Sequence, residues 1–261
     1  MIVAKAVEAK IAELLDDFYK RRIAKISTLD LRKALTRKNP YLFRAIGTQR
    51  ASEIVEGTLA AYMSSSDEGI FGDAFFEPLA KFVSGGVASP TEGADVAIET
   101  DAKYMAIAVK SGINVFNAQS KKRQKQDFDA LGKRMQKLQK QFDPVVGYCY
   151  GRKKQSPKST ASYRELAGQA FWAEITGDED FYLAIIRLMK NKPQEHLPQF
   201  RAAFDAATNR FTAEFISMFC HQDGTIDWEK LVTFNSAREI PKKPKDKTPK
   251  AVTKRRIIKT T

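Results

Sequence analysis

The sequence has little of what disulfide-rich or zinc-bound proteins are built on. It holds two cysteines, Cys149 and Cys220, and two histidines, His196 and His221, at no spacing a zinc site uses. Two isolated thiols exclude a disulfide framework and suit a reducing interior, where free Cys behaves as a small apolar residue. No apolar run approaches the roughly 20 residues that cross a bilayer. The opening "MIVAKAVEAKIAELLDDFYKRR" is charged every few residues, so no signal peptide is expected. Acid is scarce beside base, 31 residues against 44, which leaves +13 and favours a polyanion partner. Much of that excess lies at one end: Ala237 to Thr261 has seven Lys and three Arg against one Glu and one Asp.

A chain of 261 residues with 43% hydrophobic side chains can bury a sizeable core in one large domain or two small ones. Residues 1–24 read as an amphipathic helix, with Ile11, Leu14, Leu15 and Phe18 at helical spacing. A second helix follows Thr48 as its cap, and a third ends at Gly85-Gly86. Two strands are expected at about 94–100 and 103–110, turning through Thr100-Asp101-Ala102, and a third in "PVVGYCYG". Between them Phe128, Leu131, Met135, Leu138 and Phe142 step as one helix face. From Tyr163 to about Phe234 the pattern is mostly helical, with "QDGTIDWEKL" a turn followed by a capped helix start at Asp227. The fold class is therefore mixed α/β (α+β), a small central sheet flanked by helices. The expected organisation is a single domain over 1–236. Its parts are a helical N-terminal region (1–70), a core at about 70–152 and a helical C-terminal region (160–236). A basic, disordered tail is expected over 237–261.

Chemistry concentrates in "GADVAIETDAKYMAIAVKSG", Gly93 to Gly112. Asp95 and Lys110 fall at the open end of the strand pair, the spacing of a metal-dependent nuclease hairpin. Phosphodiester hydrolysis needs a carboxylate to hold Mg²⁺, whose Lewis acidity stabilises the phosphorane charge, and an amine beside the attacking water. Side chains two apart share a strand face, so Ala106, Ala108 and Lys110 point one way while Met105, Ile107 and Val109 enter the core. Such hairpins carry a second acid two before the lysine, and here that position is Ala108. Gly93 and Gly112 leave room for a backbone or phosphate to approach. The competing reading is a surface hairpin with a solvated Asp and Lys. Ser111, Asn114, Asn117, Gln119, Lys121, Lys122 and Arg123 follow directly, amide and basic side chains suited to phosphate and base-edge contacts. "GRKKQSPKS" is a second basic loop, and Gln169, Phe171 and Trp172 of "GQAFW" read as core-forming, with base stacking the alternative.

The segments "LTRKNPYLFRA", "IFGDAFFEPLA", "EGADVAIE", "YMAIAVKSGINVFNAQSKKRQ", "YCYG", "GQAFWAEITGDEDFY" and "DGTIDWEKLVTFNS" together resemble the PmeII family of type II restriction endonucleases, over about residues 30–236. The resemblance implies the PD-(D/E)xK nuclease fold, Mg²⁺-dependent cleavage of double-stranded DNA, and a restriction-modification system with a cognate methyltransferase in a bacterial or archaeal cytoplasm. Members of that family carry a small residue, often Ser, two before the lysine, so Ala108 is a modest departure. In many nucleases of the wider fold a helical Glu faces the metal, a place Glu77 fills in "FGDAFFEPLA". Asp73, Glu92 and Asp127 are the other candidates for the missing carboxylate. A Glu placed at 108, on the lysine's face, is expected to restore part of the activity of a Glu77→Ala variant if the geometry allows two routes to one ligand site. Cutting both strands needs two sites, most simply a homodimer. The rival readings are a DNA-binding protein that keeps the fold without a metal site, and a helical RNA-associated protein supported only by charge.

Overall fold

The computed structural model describes residues 4–89, 91–153 and 162–238. Most of the "GRKKQSPKS" loop and the basic tail from residue 239 lie outside them. Five strands form one sheet in the order β1 (Val87–Ala88), β2 (Val96–Glu99), β3 (Lys103–Lys110), β4 (Gln141–Tyr148), β5 (Arg164–Ala167). The first two pairings are antiparallel and the last two parallel, with Lys110 opposite Tyr148. The β2–β3 turn closes as expected: the Thr100 amide donates to the Lys103 carbonyl at 2.8 Å.

Central β3 is buried on both faces, as its near-continuous apolar run requires. This corrects the one-sided reading of the strand. Met105, Ile107 and Val109 pack toward α5 (Glu77–Ser84) and α7 (Gln169–Thr176), with Leu79, Val83, Phe171 and Trp172. Ala106 and Ala108 pack beneath α6 (Ala118–Lys137), against Phe128, Leu131 and Val146. Small side chains on that face let α6 lie close on the sheet.

A second apolar cluster lies among helices away from the sheet. In it α1 (Ala4–Ser27) and α4 (Ala51–Phe71) pack on the long α9 (Lys192–Phe219), with α10 (Trp228–Ser236) against α9 and α3 (Pro40–Ala45). Asp227 caps α10 by accepting the Lys230 amide at 2.9 Å, the start its sequence indicates. Asp30 caps α2 (Leu31–Leu35) and Asn39 caps α3 in the same way, with Pro40 in the first turn of α3.

Several boundaries differ from expectation. Thr48 is buried and does not cap α4, whose N-cap is Arg50 without a side-chain bond. The α6 stripe ends at Met135; Leu138 is 61% exposed beyond the helix and Phe142 belongs to β4. β5 lies in a region that reads as helical, because its residues, Arg-Glu-Leu-Ala, show no apolar alternation. Its charges are held by partners instead. Arg164 bonds Asp143 through two nitrogens at 2.9 and 2.7 Å and Glu174 at 2.7 Å.

Candidate active site

The carboxyl-terminal end of β3 carries the site. Asp95 sits just before β2, where its own amide donates to the Ile107 carbonyl at 2.8 Å. Its Oδ2 accepts the Val109 amide at 2.7 Å and faces Lys110 Nζ at 3.4 Å. The backbone bond fixes the carboxylate against the strand that carries the lysine, so the pair is set by the hairpin itself. Both side chains are half-buried. This is not a solvated surface pair of the kind worth little in stability or positioning.

Glu77 approaches the pair from a helix, near enough to feel both charges. Pro78 in the first turn and Gly85 in a left-handed C-cap delimit α5, and Leu79, Ala80 and Val83 bury its inner face. Before it, Gly72–Phe76 forms a π-helical turn continuous with α4, closed by the Glu77 amide on the Gly72 carbonyl. Gly72 lies against the Ser111 hydroxyl, so the turn meets the residue directly after Lys110. Burial first, then the negative charges of Asp95 and Asp73, push the Glu77 carboxyl above its ordinary value, while Lys110 and Lys81 pull the other way. Glu77 therefore shares one electrostatic environment with both hairpin residues. Asp73 adds its charge from the exposed side of the turn.

The other acids are committed elsewhere. Glu92 pairs with Arg123 at the start of α6. Asp127 packs on Gly93, whose positive φ of 87° and missing side chain that contact requires. Gln124 donates to the Gly93 carbonyl. These contacts staple α6 to the loop before Asp95. The spaces at both glycines are thus filled by the chain's own side chains: Asp127 at Gly93 and the Tyr150 ring at Gly112. The expectation that they admit a phosphate is corrected.

Ala108 also departs from expectation. It is 1% exposed within the apolar layer under α6, so a Glu introduced there enters that layer and not an open site. Among the expected DNA contacts, Asn117 is the α6 N-cap in a reciprocal capping box with Ser120. Asn114, Gln119, Lys121 and Lys122 are exposed, while Arg123 is held by Glu92. Asn117, Gln119, Lys122 and Arg123 line a groove of about 680 Å³ at the head of α6. Ser111 is half-buried against Gly72.

A divalent cation suits the donors present. Hard ions of this kind take carboxylate oxygens plus water and substrate phosphate. Among the described residues no cluster of three or more His, Cys, Asp or Glu gathers as a protein-only cage. Asp95 Oδ1 and the Glu77 carboxyl accept no hydrogen bond from a described residue, and an ion between the two acids would relieve the repulsion felt by Glu77.

Sequence reasoning missed the Tyr148–Glu165–Lys153 cluster at the ends of β4 and β5. Tyr148 donates to Glu165 at 2.8 Å and Lys153 pairs with the same carboxylate. Only a strand assignment for residues 164–167 brings these groups together.

A mixed sheet with an acid–lysine pair at a strand end and a helical acid in its field is an arrangement suited to a divalent ion beside a phosphate. The family model for the type II restriction endonuclease EcoO109I matches residues 5–196, and the chain belongs to that family. The match bears that description and not the PmeII one; the enzyme class is the same. No curated protein matches the chain. The protein is thus a restriction endonuclease, a DNA-binding hydrolase of a prokaryotic family whose enzymes typically use a divalent metal. No helix among the described residues is long and apolar enough to cross a membrane.

Proposed function

We propose that the protein cuts double-stranded DNA at a short specific sequence with Mg²⁺, using Asp95, Glu77 and Lys110. The observation that carries this reading is the convergence at the end of β3, where Lys110 Nζ stands 3.4 Å from an Asp95 oxygen fixed by the Val109 amide. Asp95 and Glu77 would hold the ion, which supplies Lewis acidity for the phosphorane charge. Lys110 orients the attacking water and offsets charge on the phosphate. Half-burial of the Asp95–Lys110 pair limits competing solvent around it. The rival reading of a DNA-binding protein without catalysis rests on the acid missing at Ala108, and in this proposal Glu77 supplies that acid.

Asn114, Gln119, Lys121 and Lys122, with the helix head capped by Asn117, would track the backbone and base edges beside the site, with Ser111 and Arg123 in supporting places. Two copies related by a two-fold axis would supply one centre per strand. In this proposal residues 1–236 act as a single nuclease domain of the PD-(D/E)xK type with a basic tail. The enzyme works in a bacterial or archaeal cytoplasm beside a cognate methyltransferase. The resemblance to the PmeII family supports the same assignment. Digestion of plasmid DNA with Mg²⁺, followed by mapping of the ends, tests it. Discrete fragments sharing one end sequence are expected, and random degradation or an uncut plasmid would overturn it.

A further inference from the structure

Beside the centre lies a cavity of about 740 Å³ that the hydrolytic reaction does not use. Phe76, Tyr150 and Trp172 wall it, α8 (Phe181–Met189) closes it with Ile185, and Arg152 and Lys153 stand among its lining residues. We propose that it receives one nucleobase swung out of the substrate duplex next to the scissile phosphate. The proposal rests on the placing of that phosphate at Lys110 only for which nucleotide enters.

Position comes first. The Cys149 amide donates to the Lys110 carbonyl at 2.8 Å and the Tyr150 amide to the Ser111 carbonyl at 3.0 Å. Tyr150 is therefore one strand spacing, about 4.8 Å, from the backbone that follows the lysine. Its ring lies over Gly112, 47% exposed, and its hydroxyl donates to Glu68 at 3.1 Å, which fixes the ring's orientation. The Phe76 ring, from the residue before Glu77, is 6.3 Å away. Aromatic faces bind any base by stacking without demanding its identity. Trp172 is fixed as one wall by donating its indole N–H to the Cys149 carbonyl at 2.9 Å.

Charge fits the same occupant. Lys153 is held 4.7 Å over the Tyr148 ring and on Glu165, and Arg152 is exposed beside it, so cations stand where the sugar-phosphate of an extruded nucleotide would lie. Gln169 also lines the space. Its amide N–H₂ donates to the Glu179 carbonyl at 3.1 Å, which leaves its oxygen to accept from an exocyclic amine. A purely apolar partner would leave these polar groups without a role.

The test measures binding, not cutting. Duplexes carrying the mapped site, each with one mismatched pair at a successive position, are titrated with Ca²⁺ in place of Mg²⁺. Because an unpaired base is already partly released, one position should bind roughly tenfold tighter than the perfect duplex. That gain should vanish in Tyr150→Ala, persist in Tyr150→Phe, and vanish in Ala170→Trp, which fills the cavity from α7 without truncating its wall. Thermal melting and sedimentation confirm that each variant is folded and report its oligomeric state. No position with tighter binding overturns the proposal, and so does a gain that survives both cavity variants. Loss of self-association in Ala170→Trp without any mismatch gain would make this face a copy interface and also overturn it. Unimpaired cutting by Lys110→Ala beside an intact mismatch gain would sink the proposed centre and leave the cavity reading standing.

Discussion

Replacing Glu77 by Gln keeps the shape of the side chain and removes one anionic oxygen from the proposed metal site. A metal's charge stabilisation at a phosphoryl centre is worth several kcal/mol. At 1.36 kcal/mol per decade, losing the greater part of it slows cutting by roughly 10³-fold. The fold should not suffer. Glu77's carboxyl is held above its ordinary value by burial, then by Asp95 and Asp73. A carboxyl raised in the folded state stabilises fully below its unfolded pKa, and that contribution is lost as pH rises through the raised value. Gln removes the charge that burial, Asp95 and Asp73 disfavour, so the substitution should not destabilise the fold. The burial is partial and much of Glu77 stays open to solvent, which limits the gain to under about 1 kcal/mol, in a chain of this size a rise of about 2–4 °C in Tm at most. Linearisation rates and melting curves on one preparation check both signs. The acid limb of the activity profile should move to lower pH as Mg²⁺ is raised, because the ion competes with the proton for this ligand. Glu92→Gln and Asp127→Asn, which alter an Arg123 partner and a packing contact on Gly93, should cost less than tenfold. Full cutting by Glu77→Gln, or a Tm that falls, would refute the reasoning.

Lys110→Ala and Asp95→Asn should each lower cleavage by at least 10³-fold while leaving specific binding within about tenfold, read by plasmid cutting and by titration in Ca²⁺. Near-native cutting by either would end the nuclease-hairpin assignment. Ala108→Glu, by contrast, places a carboxylate in the layer under α6, and overpacking alone should cost about 1–3 kcal/mol. Its Tm should drop, and it should not restore a Glu77→Ala variant; restored cutting would show that the layer opens. Removing Lys242 to Thr261 should leave the fragment pattern unchanged and weaken binding most at low salt, measured as the slope of log Kd against log salt.

What was legible in the sequence is what periodicity and caps encode. β3, the β2–β3 turn, α1 and the Asp227 cap stand where their patterns put them. What was not legible depends on pairing partners. β5 exists because parallel pairing with β4 and ion pairs to Asp143, Glu174 and Lys153 hold Arg164 and Glu165, and none of those partners is near in sequence. Leu138 and Phe142 continue the helical spacing of α6 by coincidence, while the chain turns at Gln139 with φ of 56°. Asp95 and Lys110 were legible as a pair because one hairpin fixes both. Whether Glu77 joins them depends on how a helix is phased, which spacing alone does not give.

That phase is set by the π-helical turn. Successive residues of a regular helix point about 100° apart, so Phe75, Phe76 and Glu77 would fan over about 200°. One extra residue in the turn rotates everything after it relative to the buried stripe of α4. The aromatic contacts record the result: Phe71 stacks on Phe75 at 4.5 Å and meets Phe76 edge-on at 4.9 Å, touching both the fourth and the fifth residue after it. Phe75 is thereby fully buried, Phe76 faces the cavity beside Tyr150, and Glu77 enters the field of Asp95 and Lys110. A strand acid at 108 would need no such device, since the hairpin that places Lys110 would place it too. With an alanine at that position under α6, the proposed centre takes its second carboxylate from another element. A widened helical turn beside Ser111 is a local change that brings one there without moving the sheet.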